Sequence, residues 1–189
     1  MKWNIRMTRR RFGKAALSGA VGAAALARGG SAAAAPPTGR QNGWRWCSKC
    51  QSLFYGEHIS SACPAGGRHV NAGSYDYDLR HYGFGSGEAP RVQPGWRWCS
   101  KCQSLFYGEN TASVCPSGGS HVNANSYNYA LDFGGDGTAA PPGAQGGWRW
   151  CSKCQGLFYG GLGEPTGGVC PSGGPHVNAN SYNYFLFFL

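Results

Sequence analysis

The chain has nine cysteines and five histidines, and these are the side chains best suited to chemistry. Twelve of the fourteen fall into three matching sets. Cys47, Cys50, Cys63 and His69 have the spacing C-x2-C-x12-C-x5-H; Cys99, Cys102, Cys115 and His121 repeat it; Cys151, Cys154, Cys170 and His176 lengthen only the middle gap, to fifteen. Two thiolates separated by two residues can wrap one cation from a tight turn, and a third thiolate plus an imidazole complete a tetrahedral set with no open position, as in structural zinc sites. The spacing therefore favours three structural zinc ions. Disulfides are the alternative for a small exported domain, although three cysteines per set cannot pair off among themselves. Iron or a redox use of the paired cysteines is less apt, since four thiolates are usual for iron and one position here is imidazole. His58 and His81 have no counterparts and read as surface residues.

The elements that must position these ligands recur with them. Trp44, Trp96 and Trp148 stand 52 residues apart, a regular spacing that marks an internal repeat. In each copy Gly-Trp-Arg-Trp-Cys alternates with period two and is rich in aromatics, which predicts a short strand running into a metal-binding turn; Leu-Phe-Tyr-Gly is the returning strand. Pro64 and Gly66-Gly67 then turn the chain to present His69, and Ser74 to Leu79 alternates again as a closing strand. The fold class is all-β: three small tandem Cys3His zinc-stapled β-hairpin modules, either strung on linkers or packed with pseudo-threefold symmetry as a trefoil-like barrel. The equal spacing and the apolar ending Phe185-Leu186-Phe187-Phe188-Leu189 favour packing, because such a tail needs burial. Repeats are expected at 43–79, 95–131 and 147–189, joined by linkers at 35–42, 80–94 and 132–146 that are rich in Gly, Pro and Ala.

The aromatics are the second candidate site. Trp44 and Trp46 share one strand face, as do Trp96 and Trp98, and Trp148 and Trp150. Either they form the core or, with Tyr75, Tyr77, Tyr127, Tyr129, Tyr182 and Tyr184, they offer a stacking platform for sugar rings. One Trp of each pair is expected to be buried and the other exposed.

The first 34 residues differ from the rest. Thr8-Arg9-Arg10-Arg11-Phe12-Gly13-Lys14, the weakly apolar run Ala15 to Ala27 and the small residues Ser31 to Ala35 resemble a twin-arginine export signal, with cleavage expected after Ala34. The run is too short to span a bilayer, which needs roughly 20 apolar residues. The resemblance implies export of a protein already folded in a reducing, metal-supplied compartment, where thiolates load zinc before oxidation competes, and so a secreted product. Seven of the basic residues behind the formal charge of +9 lie in this leader. Without them the chain is close to neutral, so its basicity is no argument for a nucleic-acid partner. No other run is apolar enough for stable membrane insertion.

Trp-x-Trp-Cys-x-Lys-Cys-Gln, followed by Cys-Pro-x-Gly-Gly-x-His and Ser-Tyr-x-Tyr, resembles a tandem repeat found in secreted proteins of actinobacteria and some other microbes. That resemblance covers nearly the whole mature chain, and it implies a secreted repeat module without naming a ligand. An enzyme is not expected: four protein ligands leave the metal no place to activate water, and the acids do not recur, Asp76 and Asp78 giving way to Asn128 and Ala130, then Asn183 and Phe185. The reading that follows is a multivalent binder of cell-wall or extracellular polysaccharide. The alternative is a structural or protein-interaction component of the envelope, with self-association through the tyrosines and the apolar tail.

Overall fold

A computed structural model describes residues 39–58, 60–82, 91–110, 112–161 and 167–189. The leader, half of the expected linker 35–42 and much of 80–94 lie outside the described residues, as does most of the insertion that lengthens the third repeat. Nine strands and no helix occur among the described residues. They are β1 (Gly39–Trp46), β2 (Leu53–Tyr55) and β3 (Tyr77–Tyr82); β4 (Val92–Trp98), β5 (Leu105–Tyr107) and β6 (Asn128–Gly134); and β7 (Ala144–Trp150), β8 (Leu157–Tyr159) and β9 (Asn183–Phe188).

Each module is a hairpin with a third strand laid against it: β1 pairs with β2 and β3, β4 with β5 and β6, and β7 with β8 and β9, all antiparallel. The first strand of each is bulged, and the glycine in the bulge has positive φ: 88° at Gly43, 96° at Gly95 and 86° at Gly147. Its amide is caught by the second residue after Ser in the Ser-Tyr-x-Tyr motif: Asp76 Oδ1 at 2.7 Å, Asn128 Oδ1 at 2.8 Å and Asn183 Oδ1 at 2.7 Å. An oxygen of this shape is all the position requires, which explains why Asp and Asn interchange there. The serine has a fixed task too: Ser74, Ser126 and Ser181 each accept the amide of Trp46, Trp98 or Trp150 at 2.7 Å.

The modules close on one another. The end of β3 pairs with the start of β6, the end of β6 with the start of β9, and the end of β9 with the start of β3. The short second strands repeat the cycle through bridges Phe54↔Ser104, Phe106↔Gly156 and Phe158↔Ser52. The result is a nearly closed, barrel-like sheet with pseudo-threefold symmetry. Packed modules thus replace the strung arrangement, and the apolar ending is the third closing strand, with Phe185 and Leu186 buried. The closing strands also run further than the repeat bounds in the sequence: β3 and β6 continue three residues beyond Leu79 and Leu131, and β4 and β7 begin before Gly95 and Gly147. Arg80-His81-Tyr82 and Asp132-Phe133-Gly134 share no residue types, but their backbones bond to neighbouring modules, a register that side-chain similarity does not reveal.

One core serves all three modules. It holds Trp44, Leu53, Tyr77 and Leu79 of the first, Trp96, Leu105, Tyr129 and Leu131 of the second, and Trp148, Leu157, Tyr184 and Leu186 of the third. The contacts interlock across junctions: Trp44 meets Tyr129 edge-on at 5.1 Å, Trp96 meets Tyr184 at 5.1 Å, and Trp148 meets Tyr77 at 5.2 Å. The tyrosine hydroxyls then donate across the junction, Tyr129 to Gln41, Tyr184 to Gln93 and Tyr77 to Gln145. Units of this size bury too little alone, and here they bury it together. His81 departs from its expected place on the surface. It is 9% exposed and stacks on Tyr127 at 4.1 Å, as Phe133 stacks on Tyr182 and Phe188 on Tyr75. A ring of any aromatic kind meets that requirement.

Candidate metal centres and aromatic clefts

Each four-residue set converges. Cys47, Cys50, Cys63 and His69, then Cys99, Cys102, Cys115 and His121, then Cys151, Cys154, Cys170 and His176 bring one ligand atom apiece within 4.8 Å of the others in their set. The first and third cysteine sulfurs are 3.9 Å apart in every module, and the second cysteine sulfur lies 3.4, 3.4 and 3.5 Å from the histidine Nδ1. Bonds of roughly 2.3 Å to sulfur and 2.0–2.1 Å to nitrogen put tetrahedral neighbours about 3.8 Å apart for two sulfurs and about 3.6 Å apart for sulfur and nitrogen. The sites fit a tetrahedral cation, and each can hold a metal ion. A disulfide needs about 2.05 Å, and all nine cysteines are free thiols.

The knuckle geometry follows from local sequence. In Cys-Ser-Lys-Cys-Gln the glutamine takes a left-handed backbone, φ 68° at Gln51, 70° at Gln103 and 69° at Gln155, and its amide bonds back to the first cysteine carbonyl at 2.8, 2.8 and 2.9 Å. The amides of Val70, Val122 and Val177 reach the sulfurs of Cys47, Cys99 and Cys151 at 3.4 Å. Lysine in the same motif, which the spacing argument did not single out, fastens the other half of the site. Lys49 donates to the carbonyls of Gly66 and Arg68, Lys101 to Gly118 and Ser120, and Lys153 to Gly173 and Pro175. Phe54, Phe106 and Phe158 stack on His69, His121 and His176 at 4.6, 4.6 and 4.7 Å and hold each ring's plane.

The titration of these groups is that of a set competing for protons. A hydrogen bond from Cys50 pulls Cys47 down to about 3 and Cys63 down to about 5, with burial opposing both. Cys50 itself is pushed far up by its bonds to Cys47 and Cys63 and by burial. Cys102 and Cys154 are raised, and Cys99 and Cys151 lowered, by the same exchange. Burial works against charging His69, His121 and His176, but the adjacent thiolates outweigh it and raise all three. A cation takes the place of the shared protons.

The aromatic candidates divide. Trp44, Trp96 and Trp148 are wholly buried, and Tyr77, Tyr129 and Tyr184 join them in the core, with Tyr129 and Tyr184 also reaching the lining of the clefts described below. Trp46, Trp98 and Trp150 are half-buried, and Tyr75, Tyr127 and Tyr182 are 49%, 46% and 47% exposed. Each exposed tyrosine is backed on one face by its stacking partner and open on the other. Trp98 and Tyr127 of the second module line a cleft of about 100 Å³ with Gln41, Tyr55 and His58 of the first. Trp150 and Tyr182 of the third line an equivalent cleft of about 130 Å³ with Gln93 and Tyr107 of the second. At the remaining junction Trp46 and Tyr75 hold the corresponding strand positions. His58 stays exposed and stacks on Trp98 at 5.6 Å.

Knuckle and cleft are joined by the glutamine. Gln103 Oε1 accepts Trp98 Nε1 at 2.9 Å, while its backbone carbonyl accepts the amide of Tyr55 across the junction at 2.9 Å. Gln155 does the same for Trp150 and Tyr107, and Gln51 for Trp46 and Tyr159. The turn that presents the paired cysteines therefore also sets both walls of a cleft. No protein family, curated protein or solved structure matches this chain.

Proposed function

We propose that the protein is a secreted, non-catalytic, multivalent binder of cell-wall or extracellular polysaccharide, built around three structural zinc ions. The observation that carries this reading is the ring of module junctions, each presenting a half-buried tryptophan and a tyrosine with one open face. Clefts of about 100 and 130 Å³ fall below the roughly 300 Å³ where pockets for drug-sized molecules begin. They suit one flat ring of a longer chain, with Gln and Asn side chains at hand for its hydroxyls. Weak sites repeated around one body act together on a repeating polymer.

Zinc is the ion we assign, because three thiolates and one imidazole in tetrahedral array match its preferences and leave no open position for catalysis. The positions that carry acids also support the non-catalytic reading, since Asp76 serves the backbone of Gly43 and the guanidinium of Arg45. The leader's resemblance to an export signal supports a product outside the cell.

The test is retention of zinc-loaded mature protein on insoluble cell-wall polysaccharide, with elution by soluble oligosaccharide and sedimentation run in parallel. Retention should fall in Trp98→Ala and Tyr127→Ala and collapse when both are combined with Trp150→Ala and Tyr182→Ala. No retention across a glycan panel, with concentration-dependent self-association instead, transfers the assignment to an envelope interaction protein.

A further inference from the structure

The three metal centres obey the threefold repeat in their ligands but not in what surrounds them. The histidines approach the thiolates through Nδ1, so Nε2 carries the proton and needs an acceptor once the ion is bound. His69 Nε2 lies 3.3 Å from Ser104 Oγ in the second module, and His176 Nε2 lies 3.4 Å from Ser52 Oγ in the first. Both serines are 5% exposed and sit in the bridges that close the barrel. The residue at the third bridge, facing Phe106 as Ser104 faces Phe54 and Ser52 faces Phe158, is Gly156. It has no hydroxyl, and among the described residues the His121 ring edge meets no side-chain acceptor in its place.

Burial tells the same story. His69 is 8% exposed and His176 2%, and His121 is the one histidine of the three that is not fully buried.

We infer that the middle centre, Cys99, Cys102, Cys115 and His121, is the exchangeable one, releasing its ion well before the other two because Gly156 replaces the serine that orients a ligating histidine elsewhere in the ring. Ser52 and Ser104 are positioning residues in this account, acting on the metal through His176 and His69. The inference rests on the metal part of the proposed function and is independent of the polysaccharide. An outer partner of a ligating histidine changes metal affinity by roughly 10–100-fold, so the ions should separate into one fast and two slow.

The zinc-loaded full chain is challenged with a chromophoric chelator while exposed thiols are trapped by an alkylating reagent, and the labelled peptides are identified by mass spectrometry. One ion of three should leave at least about tenfold faster than the rest, with Cys99, Cys102 and Cys115 labelled together. Gly156→Ser should abolish the fast phase. Gly156 has no left-handed backbone, and an added Cβ would meet only the Cys154 sulfur at 3.4 Å and the Leu105 carbonyl at 4.0 Å, so the variant fits. Ser104→Ala should create a second fast phase, labelling Cys47, Cys50 and Cys63. A purely structural role for these serines would not move the site-resolved order of release. Three ions leaving together, first labelling in another module, or a Gly156→Ser protein that keeps its fast phase would each overturn the inference. Those results differ from a chain that binds no zinc, which defeats the metal reading itself.

Discussion

Truncating the two tryptophans of one pair should give opposite results. Trp96 is fully buried, meets Tyr184 edge-on at 5.1 Å and Tyr107 at 5.6 Å. Removing such a ring from a packed core costs about 3–5 kcal/mol, and two lost aromatic pairs place Trp96→Ala toward the upper end of that range. Against a total stability of about 5–15 kcal/mol the variant sits near the limit of folding, so Trp96→Phe provides the measurable intermediate. Trp98 is half-buried and makes one side-chain hydrogen bond, to Gln103. Trp98→Ala should cost about 1–2 kcal/mol and leave the barrel intact. Urea unfolding of zinc-loaded protein measures the first difference, and retention on polysaccharide measures the second: Trp98→Ala loses retention while remaining folded. If Trp98→Ala destabilises as much as Trp96→Ala, the cleft wall is core and the division drawn between the pairs is refuted.

Three further outcomes follow from the electrostatics and the bulge. Zinc binding at neutral pH should release about one to two protons per ion, because Cys50, Cys102 and Cys154 hold protons through raised values and the three histidines titrate above their ordinary value; calorimetry in buffers of different ionisation enthalpy counts them. The stability that zinc supplies should accordingly grow with pH and be lost as pH falls through the raised histidine values, which acid titration of metal release will show. Arg45 first, with help from the Gly43 amide, holds the Asp76 carboxyl below the ordinary range, so its contribution is present above the ordinary carboxylate value and lost as pH falls through the lowered one. Asp76→Asn should remove that acid-side loss at a cost below about 1 kcal/mol, since the ion pair is partly exposed, whereas Asp76→Ala strands the Gly43 amide and should cost about 1–3 kcal/mol in thermal unfolding.

Much of this architecture could be read from the chain because repetition turns spacing into geometry. Four ligands at matching offsets require one cluster per copy, and period-two alternation through Trp44-Arg45-Trp46 requires a strand. What stayed hidden depends on contacts between copies. Nothing local in Arg80-His81-Tyr82 announces a strand, because its partner is Asn128–Ala130 of the next module. His81 reads as polar and exposed until Tyr127 is seen lying on it. The glutamine after the second cysteine gave a weak signal, its invariance across the three copies, but its task of tying knuckle to cleft needs the fold. Ser52, Ser104 and Gly156 were equally visible as a difference between copies, without any hint that the residue faces a histidine in a neighbouring module.

That exchange of parts would make the proposed metal centres and clefts one device. Each centre takes four ligands from its own module, but its outer contacts come from others: Ser104 reaches back to His69, and Gln103 carries the second knuckle's geometry to Tyr55 of the first module and to Trp98. A metal ion bound there would therefore fix a junction as well as a hairpin. Centre two sets the walls of the cleft lined by Trp98 and Tyr55, and centre three those of the cleft lined by Trp150 and Tyr107. If the middle ion is the exchangeable one, the first of these clefts is the one whose geometry follows metal supply, while the other keeps its grip. A ring of three alike sites would respond to metal depletion as a unit. Replacing one serine by glycine divides that response without altering a single ligand.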